Sequence, residues 1–287
     1  MPELAGARHR RVEIGEVALH LAELGPQDGR PLLMIHGWPQ SWWCWRRVAP
    51  PLAADGIRCL MPDLRGHGWS DAPARGYEKE QLARDLVALL DALDVDRVDY
   101  AGHDWGAVCG FLLAFRAPTR VRSLLLLSIP HFWPSRHDRL SPLRMATFAY
   151  QLPLATAGGA LVRRGLASRV LRAASAPGTF EPRDLAVYES TMATDAGARA
   201  TVGLYRTFLS REALPIARGR YSRERLEPAA RLVVGDGDLI VRGADLRGHE
   251  RNAPRMEVER VPRARHFLPE ERPELIADRA RDLLAAR

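Results

Sequence analysis

The 287-residue chain has three cysteines, a single lysine and no apolar run approaching the roughly 18–20 residues that a membrane-spanning helix needs. Each shortage excludes something. Cys44, Cys59 and Cys109 are odd in number, sit in apolar surroundings and match no metal-site spacing. Reduced, buried thiols in a cytoplasmic protein are expected, not a disulfide framework. The stretch MPELAGARHRRVEIGEV at the start has no apolar core of the kind a secretory leader carries, which points the same way. With Lys79 the only lysine, the formal charge of +7 rests on arginine. Those arginines are scattered among acids and form no basic run interleaved with aromatics. A solvated arginine-rich surface is therefore expected, with neither nucleic acid nor membrane as partner. Repeats and low-complexity segments are also missing. At 46% hydrophobic residues the chain can bury a substantial core.

What is present is an alternation of apolar runs and amphipathic segments. RVEIGEVALHLAEL reads as two strands, followed by PLLMIHG, IRCLMPDL, VDYAG and VRSLLLLSIP, then after a gap by RLVVGDGD and MEVERVP. The middle runs are short and continuously apolar, as strands buried on both faces of a largely parallel sheet must be. Helices are predicted over residues 81–93, over 106–117 and from Pro273 to residue 286. This is the pattern of an α/β fold with helices on both faces. Between about Pro130 and Glu227 the alternation stops. Pieces such as LVRRGLASRVLRAA and ARATVGLYRTFL are helical in period, and no run reads as a strand. The expected organisation is a core of residues 1–129 and 228–287 with a helical cap, 130–227, inserted over the C-terminal ends of the strands, the edge where open α/β sheets bind ligands.

Within VDYAGHDWGAVCG, Gly102-His103-Asp104-Trp105-Gly106 follows the glycine–x–nucleophile–x–glycine pattern of a strand–turn–helix elbow. It has aspartate where serine is usual. Small residues flank such a nucleophile because the turn is tight, and a carboxylate at a helix N-terminus is favoured by the dipole and free N–H groups. The alternative is a plain helix-capping aspartate. His36-Gly37-Trp38-Pro39 follows the strand PLLMI, where the second oxyanion donor of such folds arises, so the Trp38 and Trp105 backbone N–H groups can converge on one oxygen. A cis bond before Pro39 would suit the sharp turn. Pro62–Gly68 reads as a turn that shapes the scaffold. Downstream, GDGD places Asp236 and Asp238 at a strand end, and His266 follows the last strand. Nucleophile, acid, histidine is the chain order of the α/β-hydrolase triad.

With these residues the chain resembles the α/β-hydrolase superfamily, in the branch of epoxide hydrolases and haloalkane dehalogenases. The resemblance spans nearly the whole chain. It is strongest over HGWPQSWWCWR, MPDLRGHGWSDAP, GHDWGA, GDGD and RHFLPEERP. It implies Asp104 as nucleophile, His266 as general base, and Asp238 as triad acid with Asp236 the lesser candidate; Arg265 stands where the family usually has glycine. An ionised carboxylate attacks an sp³ carbon without a base and forms an alkyl ester, which water activated by His266 then cleaves. No cofactor or metal is implied.

The leaving group separates the two chemistries. Epoxide hydrolases of the family use two cap tyrosines as acids. AYQLP resembles the first such segment, giving Tyr150, and GLYRTF the second, giving Tyr205, although Gly203 and Leu204 replace the family's Asn and Trp. Tyr188, Tyr221 and His131 are the spare donors, and a packing role is the alternative for each tyrosine. Trp105 is compatible with either chemistry. Trp38 stands where haloalkane dehalogenases usually carry a halide-binding Asn, and no Arg follows Asp104 as in fluoroacetate-type enzymes; both favour an epoxide. Trp38 and Trp105 are expected in the substrate pocket, while Trp42, Trp43 and Trp45 either join them or pack a helix onto the sheet. The expected partner is a small, apolar epoxide, and a homodimer is compatible with the sequence. A dehalogenase using the same aspartate, or a silent ligand-binding member of the fold, is the alternative.

Overall fold

The computed structural model describes residues 1–133, 149–241 and 246–285. Eight strands form one sheet: β1 (Arg8–Glu13), β2 (Ala18–Leu24), β3 (Arg30–Ile35), β4 (Ile57–Pro62), β5 (Val98–His103), β6 (Val121–Leu127), β7 (Ala229–Gly235) and β8 (Met256–Val261). Their spatial order is β1-β2-β4-β3-β5-β6-β7-β8. The β1–β2 and β2–β4 pairs are antiparallel, and every other pair is parallel. The six inner strands coincide with the apolar runs of the sequence, because a strand covered on both faces cannot afford many polar positions, whereas the edge strands β1 and β8 carry polar, exposed positions.

That two-sided burial is visible residue by residue. Leu33, Ile35, Leu124, Leu126, Leu232 and Val234 enter one core. Their neighbours Leu32, Met34, Leu125, Leu127 and Val233 enter the other, the period-2 alternation of a strand. Each such side chain contributes about 1.5–3 kcal/mol by leaving water. Helices α1 (Ala49–Ala54), α2 (Lys79–Ala92) and α3 (Trp105–Arg116) intervene between the strands. Leu82, Leu86 and Phe111 from α2 and α3 close the first core, and Leu52 from α1 closes the second. Trp42 and Trp45 are fully buried in that second core, so the packing alternative holds for them.

Between β6 and β7 the described residues form helices and no strand: α4 (Gln151–Val162), α5 (Leu166–Ala173), α6 (Pro182–Met192), α7 (Asp195–Thr207) and α8 (Ala213–Ala217). Residues 134–148 of the expected cap lie outside the described ones. The run LVRRGLASRVLRAA is not one helix: Gly165, at φ 78°, ends one and opens the next. After β8 come α9 (Leu268–Glu271) and α10 (Pro273–Ala285), whose Ile276 and Ala280 cover the second core. No helix among the described residues is long and apolar enough to cross a membrane.

Candidate active site

Four strands deliver the candidate residues to one edge. β5 runs into Asp104, which takes φ 51° and ψ −123° before α3 begins at Trp105. A non-glycine residue at positive φ is uncommon and persists only where its surroundings impose it. Here the imposition is steric. A methyl group at Gly106 would overlap the carbonyls of Ile35 and His36, and one at Gly37 would overlap the Asp104 side chain. Both glycines are needed so that the β3 turn and the elbow can touch. The Trp38–Pro39 peptide in that turn is cis, as anticipated.

The contact places donors on the carboxylate. Trp38 N–H donates to Asp104 Oδ2 at 3.0 Å, and the Trp105 backbone N–H donates to the same carboxylate. Burial raises the Asp104 pKa above its ordinary value, against the opposing pull of His266 and the two amides. His266 Nε2 faces Asp104 Oδ1 at 4.0 Å, and its Nδ1 lies 2.9 Å from Asp238 Oδ2. The other Asp238 oxygen accepts from the backbone N–H groups of Ile240 (2.7 Å) and Val241 (3.2 Å). Burial works against a charged imidazole, but Asp238 and then Asp104 outweigh it, and His266 is held above its usual pKa. For Asp238 the balance falls the other way: burial would raise its pKa, yet His266 and the two amides bring it below the ordinary carboxylate value. Asp236, by contrast, is half-exposed and paired with Arg260 at 2.6 Å, away from the histidine. Of the two aspartates, Asp238 is the one paired with the histidine.

His103 was not anticipated as part of the site. Fully buried, its Nε2–H donates to the His266 carbonyl oxygen at 2.8 Å, and desolvation pushes its pKa down to about 3, so it stays neutral. It pins the backbone that carries the candidate base. Asp63, in the turn read as scaffold, accepts from the backbone N–H groups of Trp42 (2.7 Å) and Trp69 (3.1 Å) and pairs with His20 at 2.7 Å, which is a scaffolding role.

Tyr205, on α7, is 2% exposed and stands edge-on to Trp38 and Trp105 with centroids 5.4 and 6.0 Å apart; Tyr150 lies 6.5 Å from it. Burial, and after it Tyr150 and the Asp104 charge, raises the Tyr205 pKa; Tyr150 is 40% exposed as a residue, but the protein packed around its hydroxyl and then Asp104 push its pKa the same way. Both phenols therefore keep their protons. The spare tyrosines are committed elsewhere. Tyr188 donates to Glu270 at 2.5 Å and Tyr221 to Glu80 at 2.9 Å. His131 Nδ1 accepts from the Trp133 backbone N–H at 3.1 Å.

A cavity of about 320 Å³ opens above Asp104 and Trp105. Val108, Leu112, Ile129, Phe208, Leu209 and Ile216 supply much of its wall, and Tyr150 borders it. Trp38 does not, contrary to expectation: its indole N–H donates to Thr201 Oγ1 at 3.1 Å, and its ring backs Tyr205. The sequence reading also missed Lys79 and Glu212, a buried ion pair at 3.0 Å in the cavity wall, and Gln151. The single lysine was a signal; its partner comes from 133 residues away and carried none.

Residues 30–273 match the family described as alpha/beta hydrolase fold. The chain is 28% identical over 291 residues to the soluble epoxide hydrolase of Corynebacterium sp. (strain C12), covering 95% of each chain. Among solved structures it is similar to Cfl2 from Burkholderia cenocepacia, with 31% identity, TM-score 0.82 and coverage of 98% and 97%. It is also similar to the epoxide hydrolase CorEH without ligand, with 27% identity, TM-score 0.84 and coverage of 97% and 99%. With the fold, the elbow and the triad order in place, the chain belongs to the α/β-hydrolase fold family.

Proposed function

We propose that this hydrolase is an epoxide hydrolase, adding water to an oxirane to give a vicinal diol. The observation that carries the reading is Asp104: a carboxylate at the nucleophile's place, gripped by two backbone amides, with Tyr150 on the wall of the cavity over it, Tyr205 packed against Trp38 and Trp105, and an Asp238–His266 pair beside it. The helical segment 130–227 acts as the cap that brings the phenols to the core.

In the first step an Asp104 oxygen attacks an oxirane carbon, the C–O bond breaks, and Tyr205 or Tyr150 protonates the departing alkoxide. The product is an alkyl ester on Asp104. His266 then takes a proton from water, whose oxygen attacks the ester carbonyl carbon. The resulting oxyanion lies between the Trp38 and Trp105 N–H groups, where one donor contributes about 2.7–4 kcal/mol. Collapse expels the diol alkoxide, which takes the proton from His266, and the carboxylic acid left on Asp104 gives its proton back to the tyrosine phenolate, so that carboxylate and phenol are both restored. Asp238 orients the imidazole and balances its transient charge.

A hydrolytic dehalogenase is the second reading, favoured by one feature: the Trp105 indole, next to the nucleophile in the chain, lines the same cavity. Incubation with an aryl-epoxide panel and a haloalkane panel, assaying diol and halide, separates the two. Diol from the epoxides is expected. Halide release without diol formation would overturn the reading, and neither product would favour a silent member of the fold.

A further inference from the structure

The cavity above Asp104 is apolar over most of its wall, which makes its few polar atoms informative. Lys79 donates to the Leu204 carbonyl at 2.7 Å and pairs with Glu212, so these two satisfy each other. Tyr221 is taken by Glu80. Besides Asp104, Trp105, Tyr150 and His131, two polar groups remain. Gln151, 1% exposed and the first residue of α4, has its Nε2 3.5 Å from the Tyr150 hydroxyl, at the outer limit of a hydrogen bond, while its Oε1 has no partner. Ser128, also 1% exposed, sits just beyond β6 at φ 60° and presents a partnerless hydroxyl to the same cavity. A buried polar atom left unpaired costs about 1–3 kcal/mol, and these two lie on the wall of the cavity over Asp104. A ligand bringing its own hydrogen-bond donor would complete Gln151; a hydrocarbon epoxide would not.

The orientation of the carboxamide follows from the chemistry of its neighbour. If Tyr150 gives its proton to the opening ring, its oxygen must act as acceptor towards Gln151. The N–H side of the amide then faces Tyr150, and the oxygen is left unpaired in the cavity wall. One carbon joins the two ends, so a donor held by Oε1 sits beside the oxirane oxygen held by Tyr150. We propose, resting on the epoxide reading, that the preferred substrates are 2,3-epoxy alcohols, and that Gln151 Oε1 accepts the hydrogen bond of the hydroxyl next to the ring.

The test compares diol formation from trans-3-phenyl-2,3-epoxypropan-1-ol and trans-1-phenyl-1,2-epoxybutane, in which a methyl group replaces the hydroxyl. The wild-type protein is expected to favour the alcohol by about tenfold in kcat/KM, chiefly through KM. Gln151→Leu and the closer-shaped Gln151→Met should bring the ratio near one, whereas Gln151→Glu, which keeps an acceptor oxygen, should retain the preference. Any slackening of Tyr150 acts on both substrates, so the ratio isolates the acceptor. Turnover of both epoxides without preference, or a preference that survives Gln151→Leu, overturns the assignment and leaves the epoxide reading standing. Diol from neither substrate takes down the epoxide reading and this inference with it.

Discussion

At the scale of the residue, the proposed chemistry turns on when His266 is neutral, because only a neutral imidazole can take a proton from water. Asp238 and Asp104 together hold its pKa above the ordinary 6.5. Esterifying Asp104 removes one of those charges, so the ring sheds its proton more readily in the intermediate that needs a base. The decay rate of the ester should therefore fall as pH drops through the His266 pKa. Asp238→Asn deletes the larger of the two charges that raise that pKa, so the acid limb should move to lower pH. The same change should slow decay by on the order of 10⁴-fold, through loss of the working tautomer. Rapid-quench measurement of ester decay against pH reads both effects, and an unmoved limb would assign the base elsewhere. Asp104, Asp238 and His266 were legible in the sequence because each follows a recognisable strand end at short range. His103 and the direction of the Trp38 indole were not, since each depends on a partner brought from a distant segment, and Gln151 carried no pattern of its own.

At the scale of the element, the inner strands were readable because burial on both faces leaves mostly apolar positions in them. The helices between β6 and β7 were readable in period and not in extent. Gly165 breaks one predicted run, and residues 208–212 leave the regular α-helical turn after Thr207. The elbow is the element most dependent on single atoms. Gly106→Ala would drive a methyl group into the Ile35 and His36 carbonyls, and overpacking of this kind costs about 1–3 kcal/mol. Urea unfolding should show that loss together with reduced turnover, because separating β3 from α3 withdraws the Trp38 N–H from Asp104. Full stability and activity in this variant would mean that the close approach is not required.

Across the whole molecule, the helical segment is tied to the core by a buried polar network. Arg46 lies 2.6 Å from Asp184 on α6 and 2.8 Å from Glu270 on α9, and Tyr188 and Gln40 also reach Glu270. Burial raises the Glu270 pKa even against the pull of Arg46, so the arginine is what allows two acids to share an interior. Arg46→Met should destabilise the fold by about 3–5 kcal/mol, the range for breaking one side of a buried pair, as read by chemical denaturation. A loss under 1 kcal/mol would show that water or protonation substitutes for the cation. Nothing in the sequence pairs residue 46 with residues 184 and 270, and this part of the architecture became visible only in three dimensions.

The central claim is that Asp104 becomes covalently bonded to substrate. In His266→Gln the ester should form and fail to hydrolyse. Intact-mass analysis after incubation with an aryl epoxide should show one added substrate mass, and peptide mapping should place it on Asp104. An adduct on any other residue, or steady diol production with no adduct, would contradict the account.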